Sequence, residues 1–468
     1  MGYIYTDYII MSAVQQKLVK GPVLLSGIHS SGKSVAVHEG KSHYIGLGIP
    51  GEEITFVSNR RKQGFRSGTL CDIITPSPHR VASFCRHQNK CGGCPWMHIS
   101  YDHQLKLKRD ILCNALKKYE IETPEVPPVI PSPETRHYRH RVEYAFDSLN
   151  TVPGFHGFEN EVVPVSECYL QQEPSRALCD FISAFAERNG LEFYDRENKN
   201  GFLRSLSIRV NRSGECLVIV GFAEDRPPER QRLLEAIMME FPQLVSLNWT
   251  IHQSPSHSQM QGEIAPFGTL PPYLFEQLGE YKFRIHASSF FQPNVAQGEN
   301  IFQTIQEWLY PSCDLNKKPG TDFVTDLYTG IGTIALFLAH NAKKVLGIEG
   351  SAAAIEDARE NASINGIGNA EFITGDILET YKPAFLEKYG RPDVIVLDPP
   401  RSGTLIEIKK TINLAEARKV IYLSCNPVSL AFDLKQLSEK YRVTRIQPFD
   451  MLPHTHHLET LVMMERIS

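Results

Sequence analysis

The chemistry of this chain is concentrated at the ends of hydrophobic segments near its C-terminus. Asp398 follows the apolar run VIVL and precedes Pro-Pro-Arg401, and Cys425 follows the run KVIYLS. Glu459 opens the last apolar run, ETLVMM. A thiolate is a nucleophile and a carboxylate can remove a proton, so these groups could carry covalent and acid-base catalysis. The structural alternative is a cysteine that is simply buried.

A glycine motif lies earlier in the same part of the chain. The segment 326–333, DLYTGIGT, follows a strand pattern and opens a helix pattern, so a nucleotide-like ligand could approach its backbone. The next strand pattern ends at Glu349, an acidic residue that could bind a ribose diol, and a third ends at Asp376. A nicotinamide dehydrogenase would show the same first half. The acid-Pro-Pro turn at Asp398 instead indicates a methyltransferase of nitrogen or base substrates, with a proline-rich loop as the structural alternative.

Methyl transfer to a uracil would use both Cys425 and Glu459. Carbon 5 of uracil is not nucleophilic until a thiolate adds to carbon 6 and generates an enolate. After methyl transfer, a base must remove the carbon 5 proton so that the thiol can be eliminated, and Glu459 is the candidate base. The sequence therefore predicts covalent catalysis on a uracil that is unpaired or flipped out of a duplex.

A second group of cysteines lies far from this region. Cys85, Cys91 and Cys94 form the pattern C-x5-C-x2-C, and the distant Cys168 could supply a fourth thiolate. Four thiolates can hold tetrahedral zinc or a [4Fe–4S] cluster, and the pattern favours a ligand role of this kind. A redox pair of Cys91 and Cys94 is the remaining alternative, although such pairs usually lie between a strand and a helix.

Two other motifs are interpreted as structural. The segment 27–34, GIHSSGKS, matches the phosphate-loop pattern, but the residues from Ser34 onward alternate as a strand, so nucleotide hydrolysis is not expected. Three histidines precede Glu459, yet no cysteine or acidic residue nearby has zinc-site spacing. We expect His454, His456 and His457 to pack in a loop or to contact RNA.

Composition limits the class of protein that carries these motifs. The 468 residues are 42% hydrophobic and 22% charged, as in a globular protein of two or three domains. No apolar run reaches the length of a membrane span and the first residues lack a secretory signal pattern, so we expect a cytoplasmic protein without a membrane partner. The net charge of −4 argues against a histone-like protein that coats nucleic acids, and nothing demands more than a monomer.

Four segments are predicted to position these residues. Residues 1–15 form a tail, and residues 16–81 alternate as a small all-β barrel. Residues 82–285 mix strands and helices as a central α+β domain. Residues 286–468 alternate strand and helix as an α/β doubly wound sheet, with its sites at the C-terminal ends of the strands. The barrel carries a basic loop that suits phosphate groups, at Arg60, Arg61, Lys62 and Arg66.

These motifs resemble the RNA 5-methyluridine methyltransferase family, specifically its iron–sulfur RumA-type (RlmD/RlmCD-like) branch, over nearly the whole chain. The resemblance implies that the barrel is a TRAM domain, an OB-like RNA-binding module, and that the last segment is a Rossmann-like catalytic domain. It implies S-adenosylmethionine as cofactor, Cys425 as nucleophile and Glu459 as general base. The residues that fall on cofactor-pocket positions are Gln292, Tyr328, Thr333, Glu349, Asp376 and Asp398. Thr333 and Asp376 depart from the pattern, since an asparagine can occur at each.

The resemblance also implies a metal centre and a substrate. The cluster is a [4Fe–4S] centre whose ligands are Cys85, Cys91, Cys94 and Cys168. Because the tRNA-modifying branch typically lacks both barrel and cluster, the expected partner is 23S ribosomal RNA, and no DNA partner is expected. A tRNA uridine is the alternative substrate. A non-catalytic iron–sulfur RNA-binding protein is the alternative class, which the joint presence of Cys425, Glu459 and Asp398 disfavours.

Overall fold

The structure is a computed structural model, and it describes residues 19–59, 66–252, 262–311 and 320–467. The chain divides into two compact units. The barrel unit runs to Ala82 and includes His98–Ser100, and the main unit comprises Ser83–Met97 and the chain from Tyr101 onward. The predicted division of the main unit near residue 285 stays a prediction. No helix in the described ranges is long and apolar enough to cross a membrane.

The barrel unit contains the five strands β1 Val19–Ile28, β2 Ser34–His38, β3 Lys41–Ile45, β4 Glu53–Ser58 and β5 Ser67–Thr75. They close into a barrel in the order β1-β2-β3-β5-β4, so the predicted barrel is confirmed. Its core contains Leu25, Ile54 and Phe56 because alternate strand residues face inward. The phosphate-loop-like segment spans the turn between β1 and β2 and opens no helix. Of the predicted basic loop, Arg60, Arg61 and Lys62 lie outside the described residues.

The main unit begins with the amphipathic helix α1, Tyr101–Lys118. A sheet and two helices follow: β6 Arg141–Ala145, β7 Gly154–His156, β8 Val162–Pro164, α2 Ser175–Asn189, β9 Leu203–Val210, β10 Cys216–Phe222, α3 Pro227–Glu240, β11 Leu244–Ile251 and β12 Ala265–Pro266. The strand order is β12-β11-β10-β9-β6-β7-β8. β10 and β11 pair in parallel across α3, and β6, β9 and β10 are antiparallel neighbours, which confirms the α+β character.

A hairpin and a helix lead to the second sheet: β13 Tyr273–Leu278, β14 Tyr281–His286 and α4 Val295–Leu309. The sheet and its helices are β15 Phe323–Leu327, α5 Thr333–Ala339, β16 Lys344–Glu349, α6 Ala352–Ile364, β17 Ala370–Thr374, α7 Ile377–Thr380, α8 Pro383–Tyr389, β18 Val394–Leu397, α9 Ile406–Ala415, β19 Lys419–Ser424, α10 Pro427–Leu437, β20 Tyr441–Phe449 and β21 Glu459–Arg466. The order is β17-β16-β15-β18-β19-β21-β20.

This second sheet is the predicted Rossmann-like, doubly wound sheet. Its strands are buried on both faces: Val394 and Val396 pack in one hydrophobic cluster, and Ile395 and Leu397 pack in another. That double burial explains the nearly continuous apolar runs. The strand order reverses between β15 and β18, so the loops after these strands diverge and leave the crevice in which such sheets bind ligands.

Candidate active site

The two predicted catalytic groups, Cys425 and Glu459, and the predicted cofactor residue Asp398 lie at one edge of the second sheet. β18 and β19 are parallel neighbours, so Asp398 and Cys425, which follow them, lie at the same edge. β21 runs antiparallel to β19 with Thr460 opposite Ser424, which brings Glu459, the first residue of β21, to that edge. The structure therefore brings Cys425, Asp398 and Glu459 together.

Burial and the neighbouring carboxyl groups raise the pKa values of the acidic groups in this site. The pKa of Cys425 is raised to about 11, first by burial and then by the carboxylates of Glu459 and Asp398. Burial raises the pKa of Asp398 to about 7. Burial and then Asp398 hold the pKa of Glu459 well above its ordinary value. Arg401 acts in the opposite direction on both Cys425 and Glu459, so its guanidinium favours the thiolate and the carboxylate.

Arg401 is a site residue that the sequence motifs do not single out for a role. Its Nη1 lies 3.1 Å from Nδ1 of His457, in the segment before β21. Its carbonyl accepts hydrogen bonds from Asn426 Nδ2 at 3.0 Å and Ser429 Oγ at 3.2 Å. These contacts join the turn after β18 to the start of α10. The signal that could have found Arg401 is its position directly after Asp-Pro-Pro.

The glycine turn after β15 has the backbone that a ligand-binding loop requires. Tyr328 has a positive φ of 65°, and its hydroxyl lies 2.9 Å from Oγ1 of Thr404. Gly330 and Gly332 have φ of 57° and 84°, a region that glycine enters without steric cost. Gly332 is the N-cap of α5, and Thr333 is the first residue of that helix.

Two carboxylates that are predicted to bind the cofactor lie at the C-terminal ends of β16 and β17, and both accept hydrogen bonds from backbone N–H groups. Glu349 accepts from Gly330 N–H at 3.3 Å and from Ser351 N–H at 2.9 Å, so it links the glycine turn to the start of α6. Asp376 caps α7 by accepting from two N–H groups of the first turn. An asparagine caps a helix equally well, which explains why either residue could occupy the position of Asp376.

Asp326, at the end of β15, is a further buried carboxyl group at this edge. Its Oδ2 accepts a hydrogen bond from Thr329 Oγ1 at 2.5 Å. Burial raises its pKa to about 7, and the charge of Asp398 adds to the increase. Perturbed acids of this kind cluster at functional sites. The sequence signal was its position as the first residue of DLYTGIGT.

Gln292 lies between β14 and α4, in a segment with an exposed aromatic residue. A Cβ added at Gly298 of α4 would lie 3.2 Å from Gln292, so the glutamine packs closely on this helix. Asn294, two residues later, caps α4 by accepting from Gln297 N–H at 3.1 Å. Phe290, two residues before Gln292, is 66% exposed.

The four cysteines predicted as ligands lie together in the main unit. Burial raises the pKa of Cys94, and the charges of Cys168, Cys91 and Cys85 raise it further, so all four sulfurs are near neighbours. The Gly93 N–H lies 3.5 Å from the sulfur of Cys91. In the described ranges, no group of three or more Cys, His, Asp or Glu side chains is placed to hold a metal ion.

Comparisons with known proteins define the class. The family model for tRNA (Uracil-5-)-methyltransferase matches residues 274–467, which include the second sheet. An uncharacterized RNA methyltransferase of Porphyromonas gingivalis is 34% identical over 449 residues, 90% of this chain and 95% of that protein. Another, of Bacteroides thetaiotaomicron, is 33% identical over 93% of this chain and 99% of its own. The fold and the site are those of an S-adenosylmethionine-dependent RNA methyltransferase.

The relatives also identify the family within this class. The chain belongs to the RNA 5-methyluridine methyltransferase family, which confirms the resemblance at the level of the family, and the iron–sulfur branch stays a prediction. Among solved structures, Pyrococcus abyssi tRNA (uracil-54, C5)-methyltransferase in complex with S-adenosyl-L-homocysteine is 27% identical, with a TM-score of 0.76 over 94% of this chain and 98% of its own. Because that tRNA enzyme aligns along almost the whole chain, overall length does not separate a tRNA enzyme from an rRNA enzyme.

Proposed function

We propose that this protein methylates carbon 5 of a uridine in 23S ribosomal RNA through a covalent bond between Cys425 and carbon 6. The observation that carries the proposal is the meeting of Cys425, Asp398 and Glu459 at one sheet edge, beside the ligand crevice. A nucleophile and a base are the two groups that uracil carbon 5 methylation demands, and both occur there.

The first step is attack by the thiolate of Cys425, whose thiol proton passes to solvent beforehand. Its sulfur bonds to carbon 6, and the electron pair of the 5,6 double bond moves into an enolate at carbon 5 and oxygen 4. Because the pKa of the thiol is about 11, little thiolate is present at neutral pH in the free protein. Arg401 is the cation that favours the thiolate, and we assign it the role of stabilising that ion during attack.

The second and third steps are methyl transfer and elimination. When bound, S-adenosylmethionine would supply an electrophilic methyl group to carbon 5, with S-adenosylhomocysteine as the other product. Glu459 then removes the carbon 5 proton, the 5,6 double bond forms again, and Cys425 leaves as the thiolate. Glu459 must be ionised to take this proton, and the charge of Arg401, which lowers its raised pKa, favours that form.

The cofactor is proposed to lie across the ends of β15 to β18. In this arrangement Glu349 binds the ribose diol, because it is the acidic residue at the end of β16. Its hydrogen bonds to the glycine turn and to the start of α6 hold it beside the ligand. Asp398 faces the reacting centre, where it shares the edge with Cys425. The remaining residues proposed for the pocket are Gln292, Tyr328, Thr333 and Asp376.

The cysteine group is proposed to hold a [4Fe–4S] cluster. Cys94 interacts electrostatically with Cys85, Cys91 and Cys168, and four thiolates are the ligand set of such a cluster. Backbone N–H groups approach the sulfurs of Cys91 and Cys168, as is common for iron–sulfur centres. When bound, the cluster would cross-link the loop, and no reaction step uses it.

The choice of RNA is the finer part of the proposal. We favour 23S rRNA on the resemblance of the motifs to the RumA-type branch. The barrel and the cysteine loop do not by themselves separate the two RNAs, because the Pyrococcus abyssi tRNA enzyme aligns over 94% of this chain. A tRNA uridine is the second candidate, and the likeness to the Pyrococcus abyssi enzyme favours it. Purified enzyme should be offered unmodified transcripts of 23S fragments and of tRNA with labelled S-adenosylmethionine. Label at uridine carbon 5 of a 23S fragment supports the proposal, and label confined to tRNA changes the substrate assignment.

A further inference from the structure

His454 has an unusual backbone in the segment that leads to Glu459. Its φ is +66°, a left-handed conformation that residues with a Cβ adopt rarely and that persists where contacts determine it. The N–H of His454 donates to Oε1 of Gln104 at 2.9 Å, and its carbonyl accepts from Trp96 N–H at 2.9 Å. Gln104 Nε2 also donates to the Trp96 carbonyl at 3.2 Å. Gln104 therefore bonds both to His454 and to Trp96, the residue that donates to the His454 carbonyl.

One face of helix α1 contacts the segment that leads from Asp450 to His454. Tyr101, Gln104 and Lys108 follow the spacing i, i+3 and i+7, which places them on one side of the helix. Lys108 forms a fully buried ion pair with Asp450 and donates to the Leu452 carbonyl at 3.1 Å. The Tyr101 hydroxyl donates to Asp450 at 2.8 Å. A buried ion pair adds little stability compared with apolar packing. The pair of Lys108 and Asp450 is therefore better explained by the position that it gives to this segment.

The other side of the segment is bound by the residues around Gln292. Asn294 Nδ2 donates to the Met451 carbonyl at 3.1 Å, and Gln297 Nε2 donates to the Asp450 carbonyl at 3.2 Å. The segment from Asp450 to His454 is thus held between α1 and the start of α4. It is the first half of the loop between β20 and β21, and the ends of that loop, Phe449 and Glu459, pair across the two strands.

We propose that Gln104 is a positioning residue that holds the His454 turn so that Glu459 can take the carbon 5 proton. The inference rests on the proposed function, in which Glu459 acts only after methyl transfer. Loss of Gln104 should therefore slow proton removal and release of Cys425, while attack and methyl transfer proceed at the normal rate. A residue with a general structural role would slow all steps together.

The test compares Gln104→Leu with the native enzyme in two measurements. The first is the single-turnover rate of methyl transfer, and the second is steady-state turnover, with the covalent RNA complex followed on a denaturing gel. We expect a single-turnover rate within about twofold of the native rate, turnover lowered roughly tenfold, and accumulation of the covalent complex. Equal slowing of both rates, or slowing of neither, would overturn the proposal.

Matched variants control for unrelated effects. Gln306→Leu removes a glutamine that donates to the Phe337 carbonyl at 3.1 Å from α4, and it should leave both rates unchanged. In a His454→Gly background the left-handed turn is unstrained, so Gln104→Leu should then slow turnover less than in the native chain. An undiminished effect in that background would contradict the role of the turn.

A milder variant keeps the test open if Gln104→Leu does not fold. Tyr101→Phe removes only the hydroxyl that binds Asp450, and it should slow the same late step by a smaller factor. Failure of the proposed function is recognised separately with the native enzyme. If that enzyme forms no adduct with RNA containing 5-fluorouracil, both proposals fall, whereas a normal adduct with unchanged late steps in the variants overturns only the role of Gln104.

Discussion

The two groups of thiols in this protein differ in their neighbours. Cys425 is a single thiol between the carboxyl groups of Asp398 and Glu459, with the guanidinium of Arg401 close by. The four cysteines of the other group have one another as neighbours, together with backbone N–H groups. Burial is the largest cause of a raised thiol pKa in both places.

This difference shows how the same side chain can suit two chemistries. Carboxylates beside a single thiol disfavour its thiolate form, because the charges are alike. Most of the Cys425 thiol is therefore protonated before it reacts with the substrate. Four crowded thiols repel one another once ionised, and a shared metal centre removes that repulsion. We therefore expect changes at Cys425 to act on covalent chemistry and changes at the cysteine group to act on metal content.

The largest effect is expected from Cys425→Ala. Removal of a covalent nucleophile should lower kcat by about 10⁴-fold or more, on the scale of other enzymes that lose theirs. It should also abolish the adduct with 5-fluorouracil RNA, because fluorine does not leave as the carbon 5 proton does. Cys113→Ala, a partly buried thiol of α1, is the control and should form the adduct normally. The same shifted gel band for both variants would exclude Cys425 as the nucleophile.

Glu459→Gln should separate the steps at the same site. The amide cannot take the carbon 5 proton, so a first round of methylation should occur while turnover falls by about 10²- to 10⁴-fold. The covalent complex with ordinary RNA should then accumulate. Glu465→Gln, on the same strand, should turn over normally. Full turnover by Glu459→Gln would assign the base to another residue.

The cysteine group should respond in its metal content. Protein purified without oxygen should be brown and contain about four irons, and Cys94→Ala should lose most of this iron. Adduct formation with 5-fluorouracil RNA, measured on the same samples, should survive, because Cys425 needs no metal. Stoichiometric zinc in place of iron would show that the metal was wrongly assigned. Loss of the adduct in folded Cys94→Ala protein would show that the two thiol regions are not independent.

The smallest effect concerns the reactivity of the Cys425 thiol. Since thiolate reacts and the pKa is about 11, alkylation by iodoacetamide should accelerate about tenfold per pH unit between pH 7 and 10. Arg401→Gln removes a charge that lowers this pKa, so the pKa should rise and alkylation at pH 8 should slow by roughly threefold. Peptide mass spectrometry measures the rate at Cys425, with Arg418→Gln as control. A faster reaction in Arg401→Gln would reverse the assigned sign.

Much of the site could be predicted because its groups follow strands. The apolar runs before Asp398 and Cys425 identify parallel strands, and parallel neighbours end at the same edge of a sheet. The antiparallel strand β20 and the hairpin of β13 and β14 were not predicted, because their polar and charged residues interrupt the apolar pattern. Arg401, which we propose stabilises the thiolate, was also missed, since its contact with His457 joins two loops 56 positions apart.

The sequence by itself determined the chemical groups, the barrel and the alternation of strands and helices in the second sheet, because each depends on local residue types and spacing. Only the tertiary structure decided that β21 runs antiparallel to β19, and this direction brings Glu459 to the edge that holds Cys425. It also decided that Gln104 meets His454, 350 positions away. A hydrogen bond between such distant residues depends on how whole elements pack, which no local pattern records.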